Sequence, residues 1–259
     1  MNLQINHILV LLMLSMGCSS CAKITGPASK DGVNHVCYLD ISSSDTANLN
    51  LRLADLRDKL LTQLGPKDAL LVMAIDKASL TAAIPLFKLD LATKRFDNPA
   101  FPPTIKGAMA EKAKVAFLDS VARSFVGTVK QGVVSRVANN QRSDILGAIR
   151  QAVQYVNPER FNRLYLLSDM LNDSEELNLD RLRKQGADLG KAMEAIPTLS
   201  LPYDEVLVFT GDNSRIKAED FIRLHGCWKS FFQRCGVRVT AYTSGEMRTE
   251  LVSLTSHRN

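Results

Sequence analysis

Oxygen-bearing side chains follow an apolar run in the segment Asp40-Ile41-Ser42-Ser43-Ser44. Residues 36–39 predict a buried strand before it, and a helical pattern begins near residue 47. A strand that delivers an aspartate and two alternate serines into a loop forms a small cup of oxygen atoms. Because hard cations such as Mg²⁺ prefer an octahedron of oxygen ligands at about 2.0–2.1 Å, this segment predicts a metal site.

Two further groups are expected at the same place. Ser143 opens a predicted helix after a loop, and Asp169 ends a later predicted strand. In an open α/β sheet the ligand crevice lies beyond the carboxyl ends of the strands, where such groups meet. We therefore expect a site for Mg²⁺, with Mn²⁺ or Ca²⁺ as alternatives. Its candidate ligands are Asp40, Ser42, Ser44, Ser143 and Asp169.

Helix capping is an alternative explanation for the serines. Ser42 and Ser44 are typical of turns and helix N-termini, where a hydroxyl accepts a hydrogen bond from a free backbone N–H, and Ser143 fits the same role. Asp169 is harder to explain in this way, because it follows a strand. Asp76 also follows a predicted strand, and we interpret it as a solvated loop residue or a rim contact.

The elements that must position these groups alternate along the chain. Predicted strands cover residues 36–41, 69–75, 84–91, 164–167, 205–209 and 237–242. Predicted helices cover about residues 47–64, 105–137, 144–155, 175–195 and 218–233. This alternation predicts an α/β fold with a doubly wound, mostly parallel central sheet and helices on both faces, over residues 34–259. Apolar and polar residues alternate strictly over 84–91, which predicts an antiparallel edge strand with one wet face.

The order of these motifs resembles the von Willebrand factor A domain family. Its metal-ion-dependent adhesion site combines D-x-S-x-S after the first strand, a threonine before a helix and an aspartate after the fourth strand. Residues 40–44 match the first motif, Ser143 looks like the threonine with serine in its place, and Asp169 looks like the third element. The resemblance covers roughly residues 33–243. It implies that the serine hydroxyls bind the ion directly, and that Asp40 and Asp169 bind it directly or through water.

The resemblance also implies a function. A carboxylate from a partner protein would complete the coordination shell, and the loops at residues 93–104 and 211–215 would set specificity. Met170 stands where family members often have glycine, which implies a narrower approach for the partner. The chain is thus expected to be a metal-dependent protein-binding module and not an enzyme. The alternative is a structural subunit of an envelope or secretion assembly with a vestigial metal site.

Other functional classes fit the sequence poorly. The net charge is +5 and the isoelectric point is about 9.0, but basic residues are interspersed with acidic ones and with no aromatic pattern, which argues against nucleic-acid binding. The four histidines suggest no Ser/His/Asp set, and no phosphate-binding glycine motif is present. A phosphohydrolase that uses Asp40 as nucleophile would resemble haloacid dehalogenases, but that family expects a second aspartate where Ser42 stands.

The N-terminal residues 1–21 predict an export signal. Their apolar core, residues 8–14, is too short to span a bilayer and is followed by small residues. The segment Leu14-Ser15-Met16-Gly17-Cys18 resembles a bacterial lipobox, which implies a lipid on Cys18 and a periplasmic or outer-membrane lipoprotein of the bacterial envelope. Simple cleavage is the alternative. Residues 22–33 are expected to be a linker. The protein is expected to contact the membrane only through the lipid on Cys18.

The remaining cysteines are Cys21, Cys37, Cys227 and Cys235. Four cysteines allow three disulfide connectivities, and their spacing does not choose among them. Cys37 lies within a predicted buried strand, so we interpret it as a small apolar core residue.

Overall fold

The computed structural model describes residues 30–42, 46–81, 84–136, 142–212, 216–244 and 247. The export signal, Cys18, Cys21 and most of the linker therefore lie outside the described residues, as does Ser44. Strands in the described part are β1 (Val33–Asp40), β2 (Ala69–Ile75), β3 (Phe87–Asp90), β4 (Phe161–Leu167), β5 (Glu205–Phe209) and β6 (Arg238–Thr243). Helices are α1 (Thr46–Asp55), α2 (Pro103–Val134), α3 (Ile145–Ala152), α4 (Leu179–Lys184), α5 (Leu189–Glu194) and α6 (Ala218–Arg234). None of these helices is long and apolar enough to cross a membrane.

The six strands form one sheet in the order β3-β2-β1-β4-β5-β6. Neighbouring strands are parallel throughout, except that β3 runs antiparallel to β2 at one edge. The predicted fold class is confirmed. From β1 the chain builds outward to β3, and from β4 it builds outward to β6 on the other side. The switch point of this topology therefore lies between β1 and β4, where α/β sheets bind ligands.

Two apolar cores cover the two faces of the sheet. Alternate residues of β1 divide between them: Val36 and Tyr38 pack against α3, α4, α5 and α6. Cys37 and Leu39 pack against α1, the turns that follow it over Leu56–Leu60 and Leu61–Gln63, and α2. Cys37 is fully buried, as predicted, and it is a free thiol, as are Cys227 and Cys235.

A network of buried and half-buried ionisable groups lies at the amino-terminal ends of the central strands. We call His35, Asp68, Arg163, Tyr165 and Glu205 the Arg163 network. Arg163 donates to Glu205 and, over 3.2 Å, to the hydroxyl of Tyr165. That hydroxyl lies 3.0 Å from Nδ1 of His35, whose Nε2 lies 3.8 Å from Asp68. Every charge in this network thus faces an oppositely charged or hydrogen-bonding group.

The prediction of one helix over residues 175–195 is wrong. The structure has two short helices there, α4 and α5. Asn178 and Asp188 accept hydrogen bonds from backbone N–H groups and cap the two helices. Gly186 between them has a φ of 68°, a left-handed backbone that ends a helix.

The expected role of residues 93–104 at the site is contradicted by the direction of β3. Because β3 is antiparallel, its last residue, Asp90, pairs with Ala69 at the start of β2. The loop that follows β3 therefore begins at the edge of the sheet opposite to Asp40. The 32-residue helix α2 returns the chain over about 48 Å towards the carboxyl edge.

Candidate metal centre

Asp40 is the last residue of β1, and its side chain is fully buried. Its Oδ1 accepts the backbone N–H of Ser42 at 2.9 Å, and the hydroxyl of Ser143 lies 3.1 Å from both carboxylate oxygens. The hydroxyl of Ser168 donates to Oδ2 at 2.7 Å. We call Asp40, Ser42, Ser143 and Ser168 the Asp40 cluster. Residues more than 100 positions apart in the sequence therefore meet at one carboxylate.

The loop before α3 carries Ser143 to Asp40 and is held by backbone hydrogen bonds on both sides. The N–H of Asp144 donates to the carbonyl of Asp76 at the end of β2, at 3.2 Å. The carbonyl of Ser143 accepts the N–H of Asp173 at 2.8 Å, from the loop that follows β4. Ser143 is thus fixed between the ends of two strands.

The capping alternative is wrong for Ser143. Asp144 is the N-cap of α3, and its carboxylate accepts the N–H of Gly147 at 2.9 Å. Burial raises the pKa of Asp144. A second free N–H of the helix, that of Leu146, donates to the buried amide of Asn172. Because these two residues satisfy the helix N-terminus, the hydroxyl of Ser143 is available to Asp40.

Ser168 is a member of the cluster that the sequence reasoning missed. It directly follows β4, and its oxygen also accepts the N–H of Met170 at 3.0 Å. Its neighbour Asp169, a predicted ligand, is half-buried at the same edge and accepts the N–H of Leu171 at 2.9 Å. The sequence signal that could have identified Ser168 is its position, because it is a hydroxyl residue at a strand end next to the predicted ligand Asp169.

Met170 has an unusual backbone and does not narrow the approach of a partner. Its φ of 63° lies in the left-handed region that glycine adopts without strain. Its side chain is fully buried in the core beneath the site, so the expected narrowing is wrong. The carbonyl of Met170 accepts the indole N–H of Trp228 at 2.9 Å, which holds this turn against α6.

Asp76, at the neighbouring strand end, is not the solvated loop residue that the sequence suggested. Its side chain is fully buried and forms an ion pair with Arg136, at 3.1 Å. Its Oδ1 also accepts the N–H of Ala78 at 2.8 Å. Arg136 lies just beyond the end of α2, so the long helix delivers a fixed cation to this carboxylate.

The start of α1 is tied to the end of β5, across the site from Asp76. Asn48 accepts the N–H of Asp212 at 2.9 Å and donates to its carbonyl at 3.3 Å. Gly211 has a φ of 72°, and a Cβ there would lie 2.7 Å from the side chain of Asn48. This close approach requires glycine and fixes the helix that follows the D-x-S-x-S segment.

The chemistry of the donors suits a hard divalent cation. Asp40 accepts hydrogen bonds from one N–H and two hydroxyls, and it forms no ion pair within the described part of the chain. The 3.1 Å between the oxygens of Ser143 and Asp40 is close to the roughly 3 Å that separates adjacent ligands of octahedral Mg²⁺. No group of three or more His, Cys, Asp or Glu side chains in the described ranges is arranged to hold a metal ion. Any ion here would depend on serine hydroxyls and water.

Comparisons with known proteins give only distant similarities. No protein-family model matches the sequence, and no curated protein matches it. The solved structure of proximal thread matrix protein 1 from the mussel byssus is 12% identical with a TM-score of 0.36, and the match covers 86% of this chain and 46% of that one. The human COPII-coat protein Sec24c is 12% identical with a TM-score of 0.37, covering 83% of this chain and 30% of that one. This chain spans less than half the length of both.

Proposed function

We propose that this chain is a protein-binding module, similar to von Willebrand factor A domains, that uses Mg²⁺ or a similar ion to hold a carboxylate of its partner. The supporting observation is the state of Asp40, a fully buried carboxylate that no cation of the described chain neutralises. Burying an unpaired charge is costly, so a bound cation would stabilise this arrangement. Ser42, Ser143 and Asp169 would hold the ion together with Asp40, with Ser44 outside the described residues.

The bound ion would supply a positive charge at the open edge of the sheet, where a partner's carboxylate completes its coordination. The chain's own residues set the geometry: Ser143 and Ser168 orient the Asp40 carboxylate, and Asp144 keeps the helix N-terminus from competing for these hydroxyls. The burial of Asp40 suits a ligand that acts through water. It does not suit a nucleophile, which a phosphohydrolase would have to present to its substrate.

A protein partner is favoured by the apolar rim beside Asp76. Leu80 and Ile84 are 49% and 76% exposed in the loop that follows β2. Arg136 binds both Asp76 and the carbonyl of Ile84, at 2.6 Å, so this loop lies next to the site. Exposed apolar side chains around a polar centre are typical of surfaces that bind proteins.

Thermal unfolding tests the proposal directly. At a hundredfold excess over its dissociation constant, Mg²⁺ should stabilise the full-length chain by about 2.7 kcal/mol. For a domain of this size that is a rise in Tm of about 2–4 °C per kcal/mol. Asp169→Ala should fold in EDTA and lose the rise. An identical Tm in EDTA and in millimolar Mg²⁺ for the unmutated chain would favour the structural subunit with a vestigial site.

The proposed location is the surface of a bacterial membrane, reached through a lipid on Cys18. One acyl chain binds membranes only marginally, so stable attachment requires the several chains of a bacterial lipoprotein. Metabolic labelling with palmitate should mark the unmutated chain. Labelling that persists in Cys18→Ser would contradict the assignment.

A further inference from the structure

The hydroxyl of Tyr242 is buried and has no hydrogen-bond partner among the described residues. Other buried phenols of the chain have one: Tyr38 donates to Gln151 at 3.0 Å, and Tyr203 donates to the carbonyl of Ala152 at 2.7 Å. A buried hydroxyl without a partner lowers stability and is uncommon in proteins. This group therefore calls for an explanation.

Helix α6 holds Tyr242 beside the turn that carries Asp169. The ring of Tyr242 stacks on His225, with 4.2 Å between the ring centroids. Trp228 lies three residues further along, on the same side of the helix, and donates to the carbonyl of Met170 at 2.9 Å. Since Met170 directly follows Asp169, one face of α6 fixes both the phenol and the Asp169 turn.

The Tyr242 hydroxyl is a donor at neutral pH. Burial raises the pKa of Tyr242, and the nearby negative charge of Asp169 raises it further. The phenol therefore keeps its proton and can donate a hydrogen bond. Oδ1 of Asp169 accepts the N–H of Leu171 at 2.9 Å, which fixes this carboxylate at the start of the turn.

We propose that Tyr242 is a positioning residue for Asp169, whose carboxylate accepts the Tyr242 hydroxyl when a cation is bound. This inference rests on the proposed metal-binding function and assigns it a residue outside the ligand set. A carboxylate that binds a metal through one oxygen retains lone pairs, and hydrogen bonds to them fix its orientation. Removal of such outer-shell partners typically weakens metal binding by 10–100-fold.

The experiment compares Tyr242→Phe with Tyr203→Phe in the full-length chain. Mg²⁺ affinity is measured by isothermal titration calorimetry, and Tm is measured in EDTA. Tyr242→Phe should weaken Mg²⁺ binding by about tenfold or more. Its Tm in EDTA should be unchanged or higher, because the variant removes a buried group that lacks a partner.

Tyr203→Phe is the matched control, since it removes a hydroxyl that has a partner. It should lower the Tm in EDTA and leave the affinity for Mg²⁺ unchanged. An unchanged affinity in Tyr242→Phe, while the unmutated chain binds Mg²⁺, would overturn the positioning role alone. If the unmutated chain binds no Mg²⁺, the proposed function and this inference are both overturned.

Discussion

The central strands β1 and β4 carry buried polar side chains at their amino-terminal ends, called the first end, and at their carboxyl-terminal ends, called the second end. The charges at the two ends are neutralised differently. At the first end, the Arg163 network pairs Arg163 with Glu205 and links His35 to Asp68. At the other end, Asp40 meets hydroxyl and N–H donors but no ion-pair partner in the described chain. The charges at the first end are neutralised by groups of the chain itself. The second would gain from a cation, and this difference underlies the proposed function.

Asp76 shows that the carboxyl edge is able to neutralise a buried aspartate internally. It is as buried as Asp40 and lies at the end of the adjacent strand, and Arg136 supplies its counter-ion. The charges of these two neighbouring aspartates are thus treated differently: an arginine of the chain neutralises Asp76, and no cation of the described chain neutralises Asp40. A fixed internal cation makes Asp76 part of a structural pair, whereas under the proposed function an exchangeable ion would neutralise Asp40.

The largest expected effect is at the first end. Arg163→Met leaves Glu205 without its main counter-ion in a buried position, so it should destabilise the chain by about 3–5 kcal/mol. Urea unfolding in EDTA and in Mg²⁺ should give the same loss. The control is Arg150→Met, which removes a partly exposed pair with Glu176 and should cost about 1 kcal/mol or less. Equal losses for both variants would contradict the view that the network is a buried, coupled unit.

The next effect is at the second end and depends on the ion. Asp40→Asn keeps the shape of the side chain and removes its charge. In EDTA the variant should be at least as stable as the unmutated chain, because it removes a buried charge that no fixed cation neutralises. In Mg²⁺ at a hundredfold excess over the dissociation constant, it should lack about 2.7 kcal/mol of stabilisation, as measured by urea unfolding. A loss of the same size in EDTA would show that Asp40 is structural.

A smaller effect tests the backbone of Met170. Both Met170→Gly and Met170→Ala lose a buried side chain, but only alanine keeps the left-handed strain. The glycine variant should therefore be more stable than the alanine variant by about 1 kcal/mol. At Met73, buried within β2, the order should be reversed, since glycine is unfavourable inside a strand. Urea unfolding of the four variants gives both differences, and the same order at both sites would contradict the strain.

A pH dependence is also expected, and its main source is at the first end. Burial lowers the pKa of His35 from its ordinary value of 6.5, with Asp68, Arg163 and Glu205 as the charged neighbours. The stability from neutral His35 is fully present above pH 6.5 and is lost as the pH falls through the lower folded pKa. The slope is at most about 1.4 kcal/mol per pH unit. His35→Gln should flatten the curve of unfolding free energy between pH 7 and 5 more than His225→Gln does, because burial lowers the pKa of both histidines but His225 is only half-buried.

Much of the fold could be predicted because its strands are buried on both faces. Residues 69–75 and 205–209 were predicted with the boundaries that the structure has, since continuous apolar runs between turn residues leave little choice. The helix over 175–195 failed because its caps, Asn178 and Asp188, look like ordinary helix-surface residues in the sequence. Caps act through local backbone geometry, which apolar periodicity does not report.

The residues of the candidate site that could be predicted are those next to the end of a strand or the start of a helix. Asp40, Ser42 and Asp169 follow strand ends, and Ser143 precedes a helix. Arg136 reaches Asp76 from 60 positions away, so no local pattern marks that pair. The loop over 93–104 was misplaced because one antiparallel strand reverses which edge a loop joins.

The hydrogen bond between Trp228 and the carbonyl of Met170 has a spectroscopic consequence. Trp228 is the only tryptophan of the sequence, and its indole is fully buried. The intrinsic fluorescence excited at the red edge of absorption therefore comes from one chromophore, whose N–H is bonded to the residue after Asp169. Any rearrangement of that turn changes the environment of this single emitter. The chain thus carries its own optical reporter beside the candidate metal centre, and no dye or added label is needed.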